Sequence, residues 1–159
     1  MNYQIIERNT FKVIGLKKVI KCDGEVGPSS EIQQLWAHAA QDGTINKLMA
    51  LNSGEITGLI GMTVAYSNER NELEYWIAVE GNGDLQDNIT AFDVPAGKWC
   101  VFEVEGPYAS AIPATWEKIY SEWFPFNDFE HRGDPSLEVH KSHDPNSPKA
   151  QSEIWVPVK

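Results

Sequence analysis

Cysteine is nearly absent from this chain. Cys22 and Cys100 stand alone, with no CxxC spacing. That excludes a disulfide framework and a thiolate zinc site, and it fits a reducing compartment. Positive charge is scarce too: 13 Lys and Arg face 23 Asp and Glu, a net charge of −10. Such a field repels phosphate, and nucleic-acid binding needs a basic stripe. The nearest candidate, Lys12, Lys17, Lys18 and Lys21, is short and spaced for a strand. No apolar run approaches membrane-spanning length, and the first residues hold no apolar signal core. The expectation is a cytoplasmic, soluble protein with no membrane and no direct nucleic-acid partner. No Ser-His-Asp order, nucleophile elbow, phosphate loop or GxGxxG occurs. His140, His143 and Asp144 form the one metal-like cluster, but they straddle a strand end and a Pro-rich loop, which implies no metal geometry. No metal ligand, cofactor or catalytic residue is assigned.

What the chain does have is repetition. Gly27-Pro28 returns as Gly106-Pro107, Ile32 and Trp36 return as Ile112 and Trp116, and Glu74-x-Trp76 returns as Glu153-x-Trp155. The three landmarks hold one offset of 79 or 80 residues. The 159 residues therefore read as one domain of two like halves, about 1–82 and 83–159. The seam between two halves is a natural place for a ligand groove.

Patterning fills in the elements. Strands are expected over 3–7 and 11–20, then a loop over 24–30 in which Ser29 or Ser30 caps a helix opened by Glu31. Ile32, Leu35, Trp36 and Ala39 fall on one helical face, and a further helical turn covers 47–51. A hairpin follows over 58–66 and 73–80 around a polar turn at 67–71, and 80–84 is the linker candidate. The second half repeats the order: strands at 89–94 and 98–104, a helix over 111–123 with Pro113 in its first turn, and strands at 137–141 and 152–158. Each half is two strands, a helix and a hairpin, which gives an α+β fold of duplicated βαββ units.

Four stretches carry a resemblance. They are Phe11-Lys12-Val13-Ile14-Gly15-Leu16, Val94-Pro95-Ala96-Gly97-Lys98, Gly106-Pro107-Tyr108, and Glu153-Ile154-Trp155-Val156-Pro157-Val158. Together the chain resembles the GyrI-like domains, also called the AraC-type effector-binding domain, including stand-alone binders from integron cassettes. The resemblance implies two SH2-like units about a pseudo-twofold axis with a groove between them. It implies lipophilic cationic ligands such as drugs and dyes, held by aromatic walls and a buried carboxylate. It also implies a sensor without the family's DNA-binding segment, so a regulator or gyrase as protein partner is left open. Two alternatives come with the family: a hydrolase of cyclopropanoid substrates and a gyrase-inhibitor-like interaction module.

By the same resemblance Glu138 is the buried glutamate, with His140 where the family often has Tyr. Glu153 and Trp155 match a second acid and an aromatic, with Trp for the more usual Tyr. From spacing alone, Glu138 faces solvent or a cavity. The repeat makes it notable, because a constant offset pairs it with Leu59 or Gly58, neither ionisable. Glu74 and Trp76 are the symmetric mates of Glu153 and Trp155 and candidates for the other wall, with Tyr75 packing inward beside Ile77. Tyr108 follows Gly-Pro at a helix entrance, and Trp99 alternates with Val101 between core and ligand stacking. Trp36 and Trp116, with apolar neighbours at three and four residues, are read as core.

Overall fold

The structure is a computed structural model and describes residues 1–21, 27–67, 69–83, 85 and 88–159. Eight strands form one antiparallel sheet: β1 (Tyr3–Arg8), β2 (Phe11–Lys21), β3 (Leu59–Ser67), β4 (Glu72–Glu80), β5 (Thr90–Val94), β6 (Gly97–Glu105), β7 (Ser136–His140) and β8 (Gln151–Val158). Helices α1 (Gly27–Gln41) and α2 (Thr44–Leu51) precede β3, and α3 (Tyr108–Lys118) precedes β7. After α3 the chain widens into a π turn over Ile119–Trp123 and tightens into a 3-10 turn over Phe124–Phe126.

The strand order is β1-β6-β8-β7-β3-β4-β2-β5. Exchanging β1–β4 for β5–β8 in turn returns the same order read backwards, with β7 and β3 at the centre. That order forces a curl. β1 and β2 lie six places apart yet are joined by Asn9 and Thr10 alone, and β5 and β6 by Pro95 and Ala96 alone. Six flat spacings come to about 29 Å, whereas such a link reaches about 11 Å. The sheet therefore bends until its ends meet, and Phe11 of β2 touches Trp99 of β6 with ring centroids 6.2 Å apart.

The curl gives the sheet two buried faces. Inside it lie Met62, Trp76, Ala78, Trp99, Leu137 and Trp155. On the outer face, Ile14, Ile20, Ile77 and Val79 pack under α1 and α2. Cys100, Phe102, Ile154 and Val156 pack under α3 and the π turn. Burial on both faces is why β4 and β8 read as nearly continuous apolar runs.

Several boundaries differ from the sequence reading. α1 begins at Gly27, so Ser29 and Ser30 lie inside it and cannot be its N-cap. Residues 22–26, which include 24–26 of the expected loop, fall outside the described residues, as do Asn68 of the hairpin turn and Asp84 of the linker candidate. α3 begins at Tyr108, because Gly106 turns the chain at φ 128° and the Pro107 carbonyl accepts from Ala111 N–H. Pro113 is thus interior and leaves one helical carbonyl without its donor. Glu80 is no linker residue: it ends β4 and is 7% exposed. Arg8 grips it through two hydrogen bonds, of 2.9 and 3.0 Å, clamping β1 to β4 across the mouth of the curl.

Candidate functional site

A groove of about 1230 Å³ runs between α1 and α3 over the central strands β3 and β7. Its walls come from the repeated helical motif. Ile112 is buried under α3 and Ile32 packs beneath α1. One turn on, Trp36 and Trp116 are half-buried and line the groove. Each indole N–H reaches the floor: Trp36 donates to the Tyr75 hydroxyl at 2.9 Å, and Trp116 donates to Glu138 Oε2 at 2.7 Å. Gly61 of β3, which faces Glu138 across the pair, makes room for this arrangement. A Cβ there would run into the Tyr75 hydroxyl.

Among the described residues Glu138 is the only carboxylate on the groove lining. The open side leaves it partly exposed, but protein surrounds the carboxyl, and this burial raises its pKa against the smaller, opposite pull of the Trp116 hydrogen bond. Among the described residues no Lys or Arg pairs with it; the nearby Lys141 is taken by Glu153 at 3.1 Å. The same field reaches Tyr75, whose hydroxyl is pushed up first by burial and then by the Glu138 charge.

His140, two residues along the same face of β7, is stacked between two rings. The Trp36 centroid lies 4.8 Å away with planes 28° apart, and the Tyr108 centroid 4.4 Å away at 25°. The Tyr108 hydroxyl is itself pinned, accepting from Ser142 N–H at 2.8 Å and lying 3.1 Å from the Gln151 carbonyl. Burial pushes the His140 pKa down to about 4, so the ring is neutral at neutral pH. The unfolded value of 6.5 lies above the folded one, so the unfolded chain takes up the proton first. Stability therefore falls as pH drops from 6.5 towards 4, by roughly 3 kcal/mol at most. Urea denaturation at pH 7 and pH 5 should show this loss, and His140→Phe should shrink it. An unchanged pH slope in the variant would contradict the assignment. Glu138, with its raised pKa, contributes in the opposite sense and gains stability on acidification.

A family model for Cass2, described as an integron-associated effector binding protein, matches residues 4–158. The chain belongs to that family. Solved structures share its fold. One is SAV2435 bound to tetraphenylphosphonium, with 24% identity, a TM-score of 0.86, and coverage of 100% of this chain and 94% of that one. A second is a putative transcription regulation protein from Staphylococcus aureus MU50, with 25% identity, a TM-score of 0.81, and coverage of 100% and 99%. A third is the integron cassette protein VCH_CASS2 of Vibrio cholerae, with 18% identity, a TM-score of 0.64, and coverage of 99% and 95%. A search of curated proteins finds no match. Among the described residues of this family member, no helix is long and apolar enough to cross a membrane.

Of the residues singled out from the sequence, Glu138, His140 and Tyr108 stand together in the groove of this effector-binding protein. Glu153, Trp155, Glu74, Trp76 and Trp99 do not face it. Trp76, Trp99 and Trp155 pack inside the curl. The Glu-x-Trp repeat is a local brace: Trp76 donates to Glu74 at 2.7 Å and Trp155 to Glu153 at 3.1 Å. Residues two apart share a strand face, which brings each indole within reach of its carboxylate. Conversely, Trp36 and Trp116 are groove walls rather than core. The signal for them was present in two indoles at equal helical positions on either side of the seam. Tyr75 does share the outer face with Ile77, but its hydroxyl reaches the groove.

Hairpin register also corrects the counterpart of Glu138. Tyr75 and Ile154 occupy like positions inside the two Glu-x-Trp motifs, and they pair with Thr63 and Glu138 respectively. Thr63, not Leu59 or Gly58, is the equivalent residue, because the connections from helix to hairpin differ in length. The acid still has no ionisable mate.

Proposed function

We propose that this protein binds aromatic, lipophilic cations in the groove between α1 and α3. The observation that carries the reading is Glu138, a desolvated carboxylate with no cationic partner among the described residues. A buried unpaired charge is costly. A cation settling over it removes that cost, whereas a neutral molecule of the same shape does not. Trp36 and Tyr108 each keep one face against His140 and Trp116 keeps one against Tyr120, so a ligand's apolar body meets their remaining surfaces, where a cation over a ring face gains roughly 0.5–2 kcal/mol per ring. Two or three rings with one carboxylate account for micromolar binding, about −8 kcal/mol. A fold relative, SAV2435, is bound to a cation of this kind, tetraphenylphosphonium.

Calorimetric titration with tetraphenylphosphonium, against neutral triphenylphosphine oxide, tests the reading. Only the cation should bind with micromolar affinity. Because the ligand carries no titratable proton, the pH dependence reports on the protein. Glu138 has a raised pKa, so affinity should fall as pH drops through it. Near that pH, binding should release protons, measured by repeating the titration in buffers of different ionisation enthalpy. Equal affinity for the neutral analogue, or affinity independent of pH, would sink the proposal.

A further inference from the structure

We propose that the groove prefers aromatic cations bearing N–H donors, held by Glu138 and the in-plane edge of His140, over cations whose charged centre has no N–H. This inference rests on the cation-binding reading above. The stack is what points to it. Trp36 and Tyr108 cover the faces of the His140 ring, so a ligand meets only its edge, where the two nitrogens lie. A neutral imidazole has one N–H donor and one acceptor nitrogen. Among the described residues neither nitrogen hydrogen-bonds to the protein, although both neighbouring indoles and the Tyr108 hydroxyl do. His140 lines the groove and is two residues from Glu138 on one strand face, a separation of about 6.7 Å along the strand.

The ring's chemistry then sets a preference. The ring carries no charge at neutral pH, so it does not repel a cation. Its acceptor nitrogen opens onto the groove, and a ligand that displaces water from it leaves that nitrogen without a hydrogen bond unless the ligand donates one. A primary ammonium or amidinium can give one N–H to Glu138 and another to His140. A quaternary ammonium or a phosphonium satisfies the carboxylate by charge alone and leaves the imidazole unmet. Phenylalanine at 140 would keep the stacked ring but not the acceptor.

The test uses 1-naphthylmethylammonium and its N,N,N-trimethyl analogue, which share one aromatic body and one charge. The readout is the ratio of their affinities in wild type and in His140→Phe, a comparison in which the difference in ligand hydration cancels. The ratio should fall about tenfold in the variant, the worth of one hydrogen bond, and any general change at the groove cancels because both affinities are read in the same variant. An unchanged ratio with tetraphenylphosphonium still bound overturns the proposal and leaves the cation reading standing. Loss of tetraphenylphosphonium binding by the wild-type protein would instead be the failure of that underlying reading. Should the variant fail to fold, ¹⁵N NMR of the wild-type His140 imidazole decides. The acceptor nitrogen should shift on adding the primary ammonium and stay in place with the trimethyl compound; the same shift with both, or with neither, overturns the proposal.

Discussion

Glu138→Gln should weaken tetraphenylphosphonium binding about a hundredfold and leave neutral ligands unaffected. Two unit charges about 6 Å apart, at an effective dielectric near 20, attract by about 3 kcal/mol, which is that factor. The same substitution should make the empty protein more stable at neutral pH. The carboxyl's pKa is raised by burial, so the ionised form is strained above that pKa and relieved below it. Gln removes the strain at high pH only, and the stability difference between variant and wild type should close on acidification. Thermal melts across pH separate this from a structural role. Were Glu138 present mainly to receive the Trp116 hydrogen bond, the Gln amide oxygen would accept in its place, the melts would show no gain that grows with pH, and the ligand would stay bound.

The second large effect involves residues outside the groove lining. Glu80→Ala should cost about 3 kcal/mol or more, the penalty for breaking a buried ion pair from one side. For a chain of this size that lowers the melting temperature by roughly 6–12 °C. Arg8 and Glu80 have side chains only 11% and 10% exposed. Glu80 also accepts from Ile56 N–H at 3.1 Å and from Glu55 N–H at 3.4 Å. Burial would raise its pKa, but the Arg8 guanidinium and those amides outweigh burial and hold it below the ordinary carboxylate range. Its stabilisation is therefore present above the unfolded pKa and lost as pH falls through the folded one. An apolar pair, Arg8→Met with Glu80→Leu, should lose less than either single change. Urea melts that rank the double variant below both singles would contradict this account.

Much of the fold was legible because its signals are local. Strand alternation, the Gly-Pro turns and the helical Ile-Trp spacing each depend on a few neighbours, and they located every strand to within a residue or two. The helix starts were missed. α1 begins with residues that cap other helices, and α3 begins before Pro113, where rules for the first turn do not apply. Among the described residues of the linker candidate only Glu80 was misplaced, because its residue type suits a turn in the chain whereas it closes β4. Its partner Arg8 lies 72 positions away.

For the site, the division follows from which interactions are local. The chain alone marked Glu138, His140 and Tyr108 through a break in the repeat and through family resemblance. It also marked Glu-x-Trp, whose two members meet on one strand. It could not say which face of the sheet carries the groove, since alternation separates two faces without ranking them. The curl made that choice. By closing the helix-free face on itself it buried Trp76, Trp99 and Trp155 as core. It left the seam under α1 and α3 as the open face, lined by Trp36 and Trp116. Two links of two residues each impose that bend, and their consequence is visible only once strands distant in sequence are set side by side.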